Sequence, residues 1–251
     1  MDRTTPSCDT SQILSDYQKL EPGESDTWNP LKDDFELFYR LSFFYSLTKA
    51  LRLIDLPIES LKVLDMGCGN GRSARVYIDL GLKPKQIVGV DLRSSSIALA
   101  KKLNPAIQFE TYDGTHLPFA DNYFNFINIS GVFSSIKSKE SRQNLIQQVC
   151  QKLEKGGHVF YYDLYRANGF AGGDLLVPKK LFSNFKIIWH SPMHSLKFIS
   201  LDEKIRNLIS SIRGKYKYHK VFTRRPLILS HINPFSAPAH EVLLAQKHAS
   251  R

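Results

Sequence analysis

The sequence predicts an α/β fold built on a doubly wound, mostly parallel sheet, and three observations carry that prediction. From residue 62 onward, short apolar runs alternate with helix-patterned segments. The first run ends in a carboxylate and a glycine-rich turn, Val63-Leu64-Asp65-Met66-Gly67-Cys68-Gly69-Asn70-Gly71. The second, Ile87-Val88-Gly89-Val90, ends in another carboxylate, Asp91, 26 positions after Asp65. Strands separated by helices lie parallel. A turn without Cβ atoms lets the backbone leave the strand sharply and lets a ligand approach, while the following helix presents free N–H groups. The spacing to Asp91 fits a β-α-β unit whose second strand offers an acid to ribose hydroxyls.

Residues 1–30 are polar and punctuated by Pro6, Pro22, Gly23 and Pro30, which predicts a flexible N-terminal segment. Asp33-Asp34 are placed to cap a helix whose apolar face runs through Phe35, Leu37, Phe38, Leu41, Phe44, Leu47 and Leu51. This helical cap, within 31–60, is expected to cover the ligand site. Tyr17, Trp28 and Arg40 either close over the ligand or, for the aromatics, pack on the core.

The cofactor-binding core spans 61–165. Its predicted elements are strand 62–65, helix 72–80, strand 87–91, helix 95–103, strand 107–111 and strand 124–130. Ser94 to Ser96 supply caps, and Asn104-Pro105 ends a helix that proline cannot continue. After Ser138 a helix carries Leu145, Ile146, Val149 and Leu153 on one face, and Gly156-Gly157 turn the chain into strand 158–164. In the C-terminal part, 166–251, Phe185 to His190 and Glu241 to Gln246 read as an antiparallel pair. The insert between them, 191–239, is longer than a hairpin requires and is the expected seat of substrate specificity.

A chain of 251 residues suits one such domain, here 31–251. No apolar run approaches the ~20 residues that cross a bilayer, and the start Met1 to Pro6 lacks the apolar stretch of a secretory signal. A cytoplasmic protein is expected. Cys8, Cys68 and Cys150 are too scattered for a disulfide framework or a close-spaced zinc site. The formal charge of +10 is lopsided: residues 1–150 hold 17 Lys and Arg against 18 Asp and Glu, and 151–251 hold 17 against 6. The excess gathers around 204–225, with Tyr216, Tyr218 and Phe222 interleaved. Such a segment either contacts an anionic group or forms a solvated basic surface.

The glycine turn is not a dinucleotide fingerprint, because Arg72 stands where the third glycine of G-x-G-x-x-G belongs. Asp65 beside the turn also repels a pyrophosphate and suits a cationic, amino-bearing ligand. S-adenosylmethionine has that chemistry. At this point the chain resembles the class I S-adenosylmethionine-dependent methyltransferases, whose acid-x-G-x-G-x-G motif it matches through Asp65, Gly67, Gly69 and Gly71. The segment Asp113-Gly114-Thr115-His116-Leu117-Pro118-Phe119-Ala120-Asp121-Asn122-Tyr123-Phe124 is similar to the D-x-x-x-L-P-F-x-D-x-x-F signature of the type 11 group, with Asn125 in place of the usual Asp.

The resemblance implies a Rossmann-like, doubly wound seven-stranded sheet with an antiparallel last strand and an N-terminal helical lid. It implies that Asp91 and Leu92 hold the ribose end of S-adenosylmethionine, that Asp113 and Gly114 face adenine, and that Ser130 lies beneath the methionine part. After transfer the bound product is S-adenosylhomocysteine. Val132-Phe133-Ser134-Ser135-Ile136 and Tyr162-Asp163 also look like segments of small-molecule members.

Methyl transfer chiefly requires donor and acceptor held in line, with a base useful for a hydroxyl acceptor. Asp163 and His240 are the candidate bases. Pro192 separates His190 from His194, so no metal site is read there, and the sequon-like Asn128-Ile129-Ser130 falls in a predicted buried strand. The expected function is methyl transfer to a small-molecule acceptor, a hydroxyl of a glycan or specialised metabolite. The alternatives are an RNA methyltransferase and a non-catalytic cofactor-binding partner module.

Overall fold

The alternation read from residue 62 is present throughout the computed structural model, which describes residues 34–164, 176, 178–193 and 240–248, together with 11, 14 and 15. The strands are β1 (Val63–Met66), β2 (Ile87–Asp91), β3 (Gln108–Thr111), β4 (Phe124–Ser130), β5 (Leu153–Leu164), β6 (Phe185–Met193) and β7 (His240–Lys247). The helices are α1 (Asp34–Arg52), α2 (Arg72–Asp79), α3 (Ser94–Leu103), α4 (Lys139–Lys152) and the short α5 (Pro178–Leu181). One seven-stranded sheet runs in the order β3-β2-β1-β4-β5-β7-β6. The first five pair in parallel, and β7 inserts antiparallel between β5 and β6.

Helices on both faces explain why β1 and β2 are apolar without alternation: every residue of each is buried. On one face Phe43 and Leu47 of α1, Tyr77 of α2 and Ile97 of α3 meet Phe126, Phe160 and Tyr162. On the other, Leu145 and Val149 of α4 and Phe182 meet Ile127, Val159 and Tyr161. Alternate residues of β5 thus serve opposite cores, as the period of a strand demands.

Three local expectations are corrected. Helix α1 does not bury the face through Leu37, Leu41 and Phe44, which are 39%, 46% and 41% exposed. It buries Ser42, Phe43, Ser46 and Ala50, and of the expected face it keeps Leu47 buried. The helix is apolar on more than one side, so periodicity alone does not choose. The sheet selects the side where two serines permit close approach and Phe43 sets its edge on Phe160 and Tyr162, 5.9 and 5.5 Å between ring centres.

The serines at 94–96 do not cap α3. Arg93 is its N-cap, without a side-chain cap bond, and the Arg93 N–H is taken by Asp91 Oδ1 at 2.9 Å. Strand β5 begins at Leu153, ahead of the two glycines. Gly156 sits within it at φ 77°, where the register against β4 shifts.

Asn125, the departure from the type 11 pattern, is buried and useful. Its Oδ1 accepts from Lys62 N at 2.7 Å and its Nδ2 donates to the Ser60 carbonyl at 2.8 Å, tying the start of β4 to the entry of β1. No helix of the described residues is long and apolar enough to cross a membrane.

Candidate cofactor-binding site

The glycine turn folds back over the tip of β2. Cys68 N donates to the Val90 carbonyl at 3.0 Å, and Gly69 N donates to Asp91 Oδ2 at 2.9 Å. Gly67, Gly69 and Gly71 all have positive φ, at 66°, 54° and 78°. Two of these positions need glycine for different reasons. A Cβ on Gly67 would lie 2.5 Å from Val132 Cγ2, in the turn that follows β4. At Gly69 an added Cβ would meet, among the described residues, only Arg93 Nη2 at 3.7 Å, an ordinary contact distance. Cys68 between them is buried. Its thiol is pushed well above the ordinary range, first by burial and then by Asp65 and Asp91, so it is a packing residue rather than a nucleophile.

Asp91 is 7% exposed at the tip of β2. Besides Gly69 N it accepts from Arg93 N and, at 3.3 Å, from Arg93 Nε. Leu92 follows, half-buried. Tyr112 N donates to the Asp91 carbonyl at 3.1 Å, which brings the exit of β3, with Asp113 and Gly114, beside this tip. Asp113 is exposed, and its Oδ1 accepts from Thr115 N and His116 N at 2.7 and 2.9 Å. Slight burial pushes its carboxyl up, but those two N–H groups prevail and hold it below the usual carboxylate range.

Asp65 is fully buried. Its Oδ2 accepts from Ser73 Oγ and its Oδ1 from Asn128 Nδ2, both at 2.6 Å. Burial raises its carboxyl to about 6; Ser73 and Asn128 oppose the rise, and the neighbouring Asp91 adds to it. Asp65 has no basic side chain on it among the described residues, so the site carries uncompensated negative character beneath the glycine turn.

Ser130 ends β4 next to the turn, because Ile129 pairs with Met66, the residue before Gly67. Its Oγ shares a hydrogen bond with Tyr39 Oη at 3.1 Å, and the Tyr39 ring sets its edge on Tyr162 at 5.1 Å. Helix α1 therefore reaches the exit of β4, as a cap over the site requires. Arg40 is half-buried on the same helix, whereas Tyr17, Trp28 and the basic 204–225 segment lie outside the described residues.

The candidate base Asp163 is engaged by the turn after β4. It is 1% exposed, and its Oδ2 accepts from Phe133 N at 2.7 Å and Ser134 N at 3.2 Å. The carboxylate anchors the turn that carries Val132 and is not open to a cleft. His240 opens β7 opposite Leu164, at the sheet end that carries the glycine turn; its side chain lies outside what is described. His190 lies in β6, its Nε2 2.5 Å from Glu241 Oε2.

The structure thus joins Asp65, Gly67, Gly69 and Asp91 by one bonded loop and sets Asp113, Gly114 and Ser130 at its rim. Sequence reasoning missed Asn128, Ser73, Val132 and Tyr39 as parts of the site. Asn128 had a signal: an amide set between Phe126-Ile127 and Ile129 in the middle of a strand.

Residues 63–157 match the family model for a methyltransferase domain. The fold is shared with a solved SAM-dependent methyltransferase from Methanosarcina mazei at a TM-score of 0.50 and 15% identity, covering 78% of this chain and 95% of that one. The glycine turn and the strands β1 to β4 thus lie in a stretch similar to known methyltransferase domains.

Among similar proteins, the tRNA (carboxymethyluridine(34)-5-O)-methyltransferase of Saccharomyces cerevisiae is 31% identical over 106 residues, 42% of this chain and 36% of that protein. The demethylmenaquinone methyltransferase of Renibacterium salmoninarum is 39% identical over 73 residues, 29% of this chain and 30% of that protein. The similarity to these methyltransferases therefore spans only about a third of their length.

Proposed function

We propose that this methyltransferase binds S-adenosylmethionine in the glycine cradle and methylates a hydroxyl of a small molecule, a glycan or specialised metabolite. The observation that carries the reading is the pairing of an open glycine backbone with two carboxylates, Asp65 beneath it and Asp91 at its rim. A cationic ligand that carries a ribose and no phosphate fits that combination.

Three features of the site suit the group. Among the described residues, an added Cβ on Gly69 would meet only Arg93 Nη2 at 3.7 Å, one on Gly131 at the exit of β4 would meet nothing within 4 Å, and Asn128 Oδ1 is a buried acceptor without a donor. Asp91 and Leu92 would hold the ribose, Asp113 and Gly114 the adenine, and Gly67, Gly69, Gly71 and Ser130 the methionine portion. When bound, the sulfonium supplies an electrophilic methyl carbon.

The chain's own contribution is chiefly positional, and orientation by itself supplies a large part of such a rate. Helix α1 brings Tyr39 against Ser130 and so narrows the cleft toward water. With Asp163 engaged as an anchor, His240 is the remaining candidate for removing a hydroxyl proton, an aid worth roughly 10²- to 10⁴-fold.

The small-molecule acceptor is supported by the relative named for demethylmenaquinone, and the hydroxyl by the type 11 resemblance. A second reading, an RNA acceptor, is favoured by the tRNA-modifying relative together with the C-terminal basic excess of 17 to 6. Incubation of the full chain with methyl-labelled donor and either metabolite extract or RNA separates the two. Label in a small molecule supports the first reading, and label in RNA, with binding that weakens steeply in salt, replaces it. No transfer to either leaves a cofactor-binding module.

Asp91→Ala is expected to weaken S-adenosylhomocysteine binding by calorimetry at least tenfold, about 1.4 kcal/mol, because it removes the ribose acid and the acceptor of Gly69 N together. Unchanged affinity would take Asp91 out of the site.

A further inference from the structure

The sheet interior beneath the glycine turn contains an amide that the fold itself does not need. Asn128 lies in mid-β4, in register with Asp65, between Ile127 and Ile129, and all four residues are fully buried. An aliphatic side chain would serve packing there. Instead the amide spends Nδ2 on Asp65 Oδ1 at 2.6 Å and leaves Oδ1 with no partner among the described residues. A half-satisfied buried amide is unfavourable and calls for a reason beyond packing.

The reason lies in what surrounds Asp65. From α2 come Ser73 Oγ on Oδ2, the backbone N–H of Ala74 and the Tyr77 ring; from β2 comes Asp91, itself engaged by Arg93; from the turn comes Cys68. These groups offer neutral hydrogen bonds and one like charge, with no cation on Asp65. The carboxylate is therefore kept ionisable by Ser73, Asn128 and the Ala74 N–H, while burial and Asp91 favour its protonated form.

We infer that Asn128 is a positioning residue of the donor site, holding the Asp65 carboxylate ready beneath the turn, and that entry of a cationic donor expels a proton from that carboxylate to the solvent. The inference rests on the proposed S-adenosylmethionine reading. With Asp65 titrating near 6, part of the ligand-free population carries the proton at that pH. A cation in the cradle favours the ionised form, so the proton leaves as the ligand enters and affinity rises with pH through 6.

Calorimetric titration of the full chain with S-adenosylmethionine, in two buffers of different ionisation heat, reads the proton directly. About 0.3–0.5 proton released per ligand is expected at pH 6, and close to none at pH 8. Asn128→Val removes one of the two side-chain donors, so the midpoint of the affinity–pH curve is expected to move up by about one unit, with affinity near pH 7 falling about twofold. Ser73→Ala removes the other and is expected to move the midpoint the same way.

A residue that only packs the sheet would lower stability without moving that midpoint. Binding heats independent of buffer at pH 6, or wild-type midpoints in the variants, overturn the inference and leave the cofactor reading intact. If Asn128→Val does not fold, Ser73→Ala decides alone. Absence of binding by the unmodified chain at every pH removes the cofactor reading itself.

Discussion

Asp163→Ala is expected to lower stability to chemical denaturation by about 3–4 kcal/mol, because it strands two buried backbone donors at once. Phe133 N and Ser134 N both end on Asp163 Oδ2, at 2.7 and 3.2 Å, and the side chain is all but inaccessible. The turn they belong to packs the Phe133 ring on Tyr161 and Phe182, and it sets Val132 against Gly67. Releasing it loosens the cradle as well, so S-adenosylhomocysteine affinity is expected to fall about tenfold or more in the same variant.

Asp163→Asn retains an oxygen acceptor and is expected to cost only about 1 kcal/mol. A catalytic base would behave in the opposite way, with Asp163→Asn keeping its stability and donor affinity while losing methyl transfer. Denaturation curves of both variants, set beside transfer rates, separate an anchor from a base.

Gly67→Ala is expected to cost about 2–4 kcal/mol and to abolish measurable donor binding. Its φ of 66° carries roughly 1–2 kcal/mol of strain for any residue with a Cβ. The new methyl would also sit 2.5 Å from Val132 Cγ2, and such overpacking adds about 1–3 kcal/mol. Val132 is β-branched and stiff, and its backbone is held by the Asp163 anchor, so the glycine turn must move instead.

Adding Val132→Ala removes the clashing Cγ2 and is expected to return about 1 kcal/mol or more to the Gly67→Ala protein, a coupling between neighbours that a double-mutant cycle measures. Strict additivity of the two substitutions would show that strain at φ, and not the contact with Val132, governs the loss.

The parallel core was legible because its signals are local. Asp65, Gly67 and Asp91 stand at strand ends, and the apolar runs before them have no use outside a sheet covered on both faces. The pair Phe185–Met193 and His240–Lys247 was legible for the same reason, despite the long insert between them. Helix α1 was half legible: its existence follows from composition, but its buried side depends on rings that come from β5, more than a hundred residues later.

Asp163 illustrates the same limit. Its position at the end of β5 was readable. Its partners, two N–H groups of the turn after β4, exist only once the strands are side by side.

By itself, then, the sequence determined the order of strands and helices, the glycine turn and the two acids that border it, since period, chain turning and charge are properties of neighbouring residues. Tertiary structure alone decided which carboxylate is sealed and which lies at the rim. It also set Asp163 on two N–H groups of the turn after β4, and Asn128 and Ser73 on Asp65. The physical reason is that solvation and hydrogen-bond partnership depend on what other segments bring within about 3 Å, and no local pattern records that.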